Sequence, residues 1–138
     1  MMLLNPEAEQ YFASLYARDE VGTALIDSLK RLGEYEVRGD LRIYRAPYAV
    51  TKDVVFCGAA GTSDTFWRLR PSDRRIALDT GAEAAAIGLD WVRIQLFRID
   101  HPAPDPFYWA LRAYDFARTG TEPGISGRPE SLPPARPA

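Results

Sequence analysis

The sequence predicts an α+β fold: a mostly antiparallel sheet of four to five strands, helices packed on one face of it, and a proline-rich C-terminal tail. Three patterns lead to this prediction. Helical apolar spacing occupies the start of the chain, alternating apolar and polar residues fill the middle, and a last helical pattern precedes a proline-rich stretch. A length of 138 residues is sufficient for one hydrophobic core. We therefore expect a single α+β domain over residues 1–120 and an extended tail over residues 121–138.

The composition is that of an ordinary soluble globular protein, with 46% hydrophobic and 26% charged residues. A single cysteine and a single histidine cannot supply the four ligands of the common zinc sites, so we expect no metal and no other cofactor. The N-terminus lacks the features of a secretory signal, and no apolar run is long enough to span a membrane. We expect a cytoplasmic protein that does not bind membranes.

Two helical segments are predicted at the start of the chain. Asn5 is a favourable N-cap before Pro6, and Asp19 can cap a second segment that ends near Gly33. Each segment carries an apolar stripe at helical spacing: Leu4, Ala8, Tyr11, Phe12 and Leu15 in the first, and Val21, Leu25, Leu29 and Leu32 in the second. A single long helix through both segments is the alternative. In either case the region is scaffold that buries one face.

Four strands are predicted next, in the order of a simple meander. The dipeptide Gly39-Asp40 suits a two-residue type II′ hairpin within Glu34–Ala46, because glycine tolerates the positive φ of the first turn position. Val50–Cys57 and Thr65–Arg70 follow as two further strands. The small, glycine-containing cluster Gly58–Asp64 is the predicted turn between them.

The second half of the chain is predicted to contain a helix, a strand and a helix. Pro71 opens a helix that we expect to break at Gly81 and to resume over Ala82–Ile87. Asp90–Ile99 has the clearest strand alternation in the chain, which indicates one covered sheet face and one partly wet face. Phe107–Arg118 is the last predicted helix.

The apolar residues of this last helix fall on two faces. The first face carries Phe107, Ala110, Leu111 and Tyr114, and the second carries Trp109, Ala113 and Phe116. Two apolar faces on one helix indicate that something covers the outer one. The proline-rich tail, if ordered, would have to lie either on this aromatic helix or on another chain.

Cys57 is the first candidate for chemistry, since it precedes the glycine-containing segment Gly58–Ser63. A thiol at this place could act as a nucleophile with backbone N–H groups nearby, and His101 is the one histidine that could serve as its base. The simpler alternative is that Cys57 is a small buried hydrophobe and His101 an ordinary loop residue. The segment Gly58–Ser63 could bind an anion or be a plain hairpin loop.

The second candidate is a surface of arginine and aromatic side chains. Alternation could place several of them on the outer face of the sheet, with the aromatic residues of the last helix as further anchors. Such a surface can bind a protein partner, where Arg and aromatic residues are favoured, or stack the bases of a nucleic acid. The third possibility is that the arginine stems only cover the sheet. The candidate binding residues are Arg42, Tyr44, Phe66, Arg68, Arg70, Arg93, Phe97, Trp109 and Phe116.

The order helix, helix, four-strand meander, helix, strand, helix, with the pair Trp91-Val92 opening the last strand, resembles small bacterial α+β domains of the YjbR-type fold. The resemblance covers most of the chain and transfers no functional residue.

The sequence favours a non-catalytic protein-interaction or assembly subunit with a protein partner or a second copy of itself. No convergent catalytic set and no nucleotide-binding or hydrolase motif is present in the sequence. A small enzyme or ligand-binding domain centred on Cys57 is one alternative. Nucleic-acid binding through the arginine and aromatic residues is the other, although a net charge of −2 lacks the strong basic footprint of most such proteins.

Overall fold

The computed structural model describes residues 2–39, 43–97 and 105–120, which form an α+β fold around a six-stranded antiparallel sheet. The predicted class is confirmed, with six strands in place of four to five. The strand order is β1-β2-β3-β4-β6-β5. Residues 121–138, predicted as a tail, lie outside the described residues. The elements are α1 Pro6–Ala13, α2 Asp19–Ser28, β1 Glu36–Arg38, β2 Tyr48–Thr51, β3 Val54–Ala60, β4 Asp64–Arg68, α3 Pro71–Asp79, β5 Glu83–Ala84, β6 Trp91–Gln95 and α4 Pro106–Thr119.

Strand β3 is the centre of the fold. It pairs with β2 on one side and β4 on the other, and all seven of its residues are buried. Because side chains alternate across a sheet, full burial means that both faces are covered here. Helix α1 covers the face of Gly58, while Cys57 and Trp67 on the opposite face are also fully buried. The partly wet outer face expected from alternation is therefore absent at the centre of the sheet.

Phe12 of α1 is the aromatic anchor on the Gly58 face. Its ring stacks on Tyr48 at 5.8 Å between centroids and meets Phe66 edge-on at 5.6 Å and Trp91 at 6.0 Å. The ring lies directly over Gly58, where an added Cβ would fall less than 3.0 Å from three of its atoms. Glycine is thus required here by the close approach of α1 to the sheet.

The two N-terminal helices are separate, as the first of the two sequence alternatives proposes. Between them the chain runs alongside Gly61 at the end of β3: the Gly61 N–H donates to Tyr16 O at 2.7 Å, and the Arg18 N–H donates to Gly61 O at 2.9 Å. These bonds fix the connection against the sheet, so a continuous helix is impossible. Helix α2 then packs against α4 and β3.

Asn5 does not cap α1 through its side chain, although it occupies the predicted position. Its amide instead pairs with the backbone of Val55: Nδ2 donates to Val55 O at 2.8 Å, and Oδ1 accepts from Val55 N at 2.9 Å. The β3–β4 register would place Leu69 opposite Val55, but the Leu69 N–H donates to Asp90 O. Asn5 therefore supplies the backbone partner that β4 no longer provides.

The two predicted strand regions Glu34–Ala46 and Val50–Cys57 have different outcomes. In the first, Glu36–Arg38 form a strand that pairs with β2, and the predicted Gly39-Asp40 hairpin runs into Asp40–Arg42, which lie outside the described residues. The predicted strand Val50–Cys57 is interrupted by a turn at Lys52 and Asp53, both of which adopt positive φ, 49° and 64°. Left-handed conformation at both central residues is the signature of a type I′ hairpin, and here it occurs without glycine.

The predicted turn Gly58–Asp64 is shorter than expected. Gly58, Ala59 and Ala60 continue β3, and the reversal begins at Gly61, whose φ is +66°. Gly58 is part of the strand and not of a turn, because its position must accommodate the ring of Phe12. Cys57 consequently lies inside a central strand and not at its end.

The region after α3 also differs from the prediction. The helix ends at Asp79, Gly81 takes φ +110°, and Glu83–Ala84 pair with β6 as a short edge strand. The expected helical continuation over Ala82–Ile87 is therefore wrong. Ile76 of α3 is 45% exposed, whereas Ala77 is fully buried.

The last strand and the last helix agree with the prediction. Strand β6 pairs with β4 from Trp91 to Gln95, and residues 98–104 lie outside the described residues. Helix α4 begins after Asp105, whose Oδ1 accepts from the Phe107 N–H at 3.0 Å. None of the helices among the described residues has the length and apolarity needed to cross a membrane.

Candidate functional site

Cys57 has no access to solvent. It is fully buried in β3, and burial raises the pKa of its thiol well above the ordinary value. A nucleophilic cysteine needs the opposite, an accessible thiol with a lowered pKa. His101, its candidate base, lies outside the described residues. The geometry at Cys57 is that of a packed core residue.

We expect the Cys57 thiol to react with a maleimide at least about a hundredfold more slowly in the native protein than in denaturant, because reaction must await opening of the sheet. Loss of absorbance of the reagent measures the rate. A Leu89→Cys variant provides the control, since Leu89 is 88% exposed. Equal native-state rates for the two thiols would contradict the burial of Cys57.

No group of three or more His, Cys, Asp or Glu side chains within residues 2–39, 43–97 and 105–120 is arranged to hold a metal ion.

The predicted arginine and aromatic residues do not form one exposed sheet face. Phe66 and Arg68 are buried in β4, and Trp109 and Phe116 are buried in α4. Tyr44 and Phe97 are exposed, but both lie outside the named strands and both adopt positive φ. Arg70 and Arg93 are half-buried, and Arg42 lies outside the described residues.

The structure brings two of these residues together inside the protein. The guanidinium of Arg68 lies 4.2 Å above the ring of Phe116, and its Nη2 lies 3.5 Å from a carboxylate oxygen of Asp90. Burial lowers the pKa of Arg68 and raises that of Asp90, each shift being opposed by the charge of the other. Arg68 is thus an internal link between β4 and α4.

Arg93 is also engaged within the chain. It pairs with Glu83 of β5 and lies 3.8 Å from Asp64 of β4. Sequence alternation alone placed Arg93 on a free outer face, whereas its neighbours across the strands are acidic. This part of the predicted surface is a charge-matched sheet edge.

A surface groove of about 600 Å³ lies between the first turn of α3 and the length of α4. Two ion pairs cross it: Arg112 Nη1 lies 3.0 Å from Asp73 Oδ1, and Arg70 Nη1 lies 2.9 Å from Asp115 Oδ2. These bridges connect the start of α3 to α4 across the groove. The lining residues are Arg70, Asp73, Asp105, Phe107, Tyr108, Leu111, Arg112 and Asp115.

Three apolar side chains of α4 border this groove. Leu111 is 50% exposed, and Phe107 and Tyr108 are half-buried. The Arg112 guanidinium lies 4.3 Å from the centre of the Tyr108 ring, which limits the motion of both side chains. The groove therefore presents an apolar strip beside paired charges.

A second depression of about 230 Å³ lies against α2, and it shares Asp105 and Phe107 with the groove. On the α2 side, the guanidinium of Arg31 lies 3.8 Å from the centre of the Phe107 ring. The N-cap bond from Asp105 fixes the backbone of Phe107. The groove and the depression therefore lie side by side at the start of α4.

Sequence reasoning found part of this site. It selected Arg70, but it chose Trp109 and Phe116 from α4, and both are buried. The signal for the groove was the presence of two apolar faces on α4, and Phe107 and Leu111 were recognised on the first of them without being assigned a role. The register of the helix against the core could not be known from spacing alone.

Comparison with known proteins gives no match to a family model, to a curated protein or to a solved structure. The site must therefore be interpreted from its own geometry.

Proposed function

We propose that this chain is a non-catalytic protein-interaction or assembly subunit, whose groove between α3 and α4 binds an extended, proline-containing segment of a protein partner. The observation that supports this best is the apolar strip Phe107, Tyr108 and Leu111 beside two fixed ion pairs. Aromatic-lined grooves bind polyproline II segments well, because these segments are already extended and lose little entropy on binding.

The lining of the groove carries a net charge of −1. Asp73 and Asp115 are paired with Arg112 and Arg70, and the carboxylate of Asp105, which caps α4, has no guanidinium partner in the lining. This excess negative charge favours a ligand that carries arginine or lysine. Complementary charge at the rim of an interface sets orientation and specificity more than affinity. The partner chemistry we propose is therefore a proline-rich peptide with basic flanks.

Contacts within the chain also limit the freedom of the side chains that line the groove. Both ion pairs tie α3 to α4, and the aromatic rings are held by Arg31 and Arg112. Preorganised side chains reduce the entropy lost when a flexible peptide docks. Arginine and aromatic residues at such a site are typical of protein-binding surfaces.

The test is titration of the full chain with a short synthetic proline-rich peptide that carries an arginine at each end, followed by two-dimensional amide NMR. We expect shifts at Phe107, Leu111 and their neighbours along α4. Replacing Leu111 by arginine should weaken binding about tenfold or more, which corresponds to ~1.4 kcal/mol. The substitution removes apolar contact and places a charge against the basic ligand.

The matched control is Leu89→Arg, which adds the same charge at an 88% exposed site outside the groove. It should bind the peptide as the wild type does. A second control peptide with alanine in place of every proline should bind more weakly. Shifts that lie away from α4, or equal binding by the Leu111 and Leu89 variants, would reject the groove as the binding site.

A further inference from the structure

We infer that a pocket at the C-terminal end of α4 binds a small zwitterion of the α-amino acid class. The pocket has a volume of about 420 Å³ and lies between the last turn of α4, strand β1 with the residues before it, and the turn between β2 and β3. It shares no lining residue with the groove between α3 and α4, so the inference does not depend on the proposed function. The lining residues are Glu34, Tyr35, Glu36, Arg38, Val50, Thr51, Lys52, Asp53 and Arg118.

The charged groups of this pocket are only partly paired. Arg38 and Glu36 form an ion pair at 3.1 Å, and Arg38 also pairs with Glu9 of α1. Four lining groups form no ion pair with any other residue that the structure describes: the cations of Lys52 and Arg118 and the carboxylates of Glu34 and Asp53. A ligand with one negative and one positive charge complements this set, whereas a simple anion or cation would meet charges of its own sign.

Arg118 is held in place by contacts around the pocket. Its Nη1 donates to Thr51 Oγ1 at 2.8 Å and to the backbone oxygen of Glu34 at 3.5 Å. Its guanidinium lies 5.3 Å from the centre of the Tyr114 ring. Nε and Nη2 donate to none of the residues that the structure describes. A planar guanidinium with two donors left over suits a carboxylate, which it binds through two parallel hydrogen bonds.

The turn between β2 and β3 brings one charge of each sign to the pocket. Lys52 and Asp53 adopt φ of 49° and 64°, and this left-handed conformation is uncommon for lysine. The turn is anchored from α1, because the Leu4 N–H donates to Asp53 O at 2.8 Å. Strained residues of this kind persist only where the surrounding structure holds them, and they cluster at ligand-binding sites.

The arrangement matches the two charged groups of an α-amino acid. The ligand carboxylate pairs with Arg118 and Lys52, and its ammonium group pairs with Glu34 and Asp53. The half-buried Tyr35 offers an apolar contact for the ligand side chain. The volume of the pocket is within the usual range for small-molecule sites, about 300–1,000 Å³.

The test is titration of the full chain with each of the common L-amino acids, followed by two-dimensional amide NMR. We expect at least one of them to shift the amides of Thr51, Lys52, Asp53 and Arg118. The amino acid that binds is then compared with two analogues that keep its side chain, one without the amino group and one without the carboxylate. Each analogue should bind at least tenfold more weakly, because each leaves one pair of charges in the pocket without a partner.

Charge-removing variants locate the site. Lys52→Gln and Asp53→Asn each remove one charge from the turn, and asparagine tolerates the left-handed conformation. Each should weaken binding about tenfold or more. Arg118→Gln should do the same, with urea unfolding to check that this variant is folded. The matched control is Lys30→Gln, which removes a 68% exposed lysine outside the pocket and should bind as the wild type does.

Three outcomes would overturn the inference, and none of them bears on the groove. If no L-amino acid shifts the amides of the turn, the pocket does not accept this class of ligand. If the analogue without the amino group binds as tightly as the amino acid, Glu34 and Asp53 hold no ammonium group. If the Lys52 and Lys30 variants bind equally, the site lies elsewhere. Leu111→Arg, which changes the groove, should leave the binding of the amino acid unchanged.

Discussion

Replacing Gly58 by alanine should lower the free energy of unfolding by about 1–3 kcal/mol, the usual cost of forcing extra volume into a packed core. This change in the free energy of unfolding is opposite in sign to the general trend. Within a strand, a protein with glycine is normally less stable than one with alanine by about 0.5–1 kcal/mol. The reason is the ring of Phe12, which lies where the new methyl group would go. That ring is held by Tyr48 and Trp91 and cannot move aside. Urea unfolding measures the effect.

Gly88→Ala is the matched control for this prediction. A Cβ at Gly88 would meet only Trp91, at an ordinary 3.7 Å, so the change should alter stability by a few tenths of a kcal/mol at most. The double variant Phe12→Leu with Gly58→Ala should be more stable than the sum of the two single effects predicts, because the smaller side chain makes room. Equal stability of the Gly58 and Gly88 variants would show that α1 does not approach β3 so closely.

Gly58 also shows why some features of the fold could not be found from the sequence. Its neighbours Ala59, Ala60 and Gly61 made the stretch resemble a loop, but only Gly61 turns the chain. A glycine required by a ring 46 residues earlier in the chain has the same local pattern as a glycine required by a turn. Lys52 and Asp53 give the reverse case, a tight turn without glycine.

The fold class could be predicted from the sequence because it depends on local periodicity. The helical pattern of α4 and the alternation of β6 both appear in the structure close to their predicted positions. The candidate surface was harder to predict, because the exposure of a side chain depends on which element covers that face of the sheet. Phe66 has the spacing of an outward residue, yet the ring of Phe12 packs on it from α1.

The groove between α3 and α4 could be predicted from the sequence only in part. The two apolar faces of α4 indicated that something covers the outer one, and in the structure the outer one carries Phe107 and Leu111. What spacing could not reveal is that α3 contributes Arg70 and Asp73 to the opposite wall, across roughly forty residues of sequence. The ion pairs with Asp115 and Arg112 that define the site are products of the tertiary fold.

Asn5→Ala should cost about 2–6 kcal/mol, because it leaves both the N–H and the C=O of buried Val55 without a partner, at roughly 1–3 kcal/mol for each group. A conventional N-cap gives a different expectation: loss of about 1 kcal/mol on substitution by alanine, and little or no loss with aspartate, which is as good a cap as asparagine. The genuine cap Asp105 supplies the comparison, and Asp105→Ala should show the smaller cost.

Asn5→Asp separates the two roles most sharply. A carboxylate keeps an acceptor for the Val55 N–H but turns a negative oxygen towards the Val55 carbonyl, which needs a donor. We therefore expect Asn5→Asp to be at least as damaging as Asn5→Ala at neutral pH, although aspartate favours a helix N-terminus. The deficit relative to the wild type should shrink at acid pH, where a protonated carboxyl can donate to that carbonyl. Thermal unfolding at several pH values measures this deficit. If the Asn5→Asp variant is as stable as the wild type at neutral pH, Asn5 acts as the N-cap that the sequence alone suggests, and the prediction is wrong.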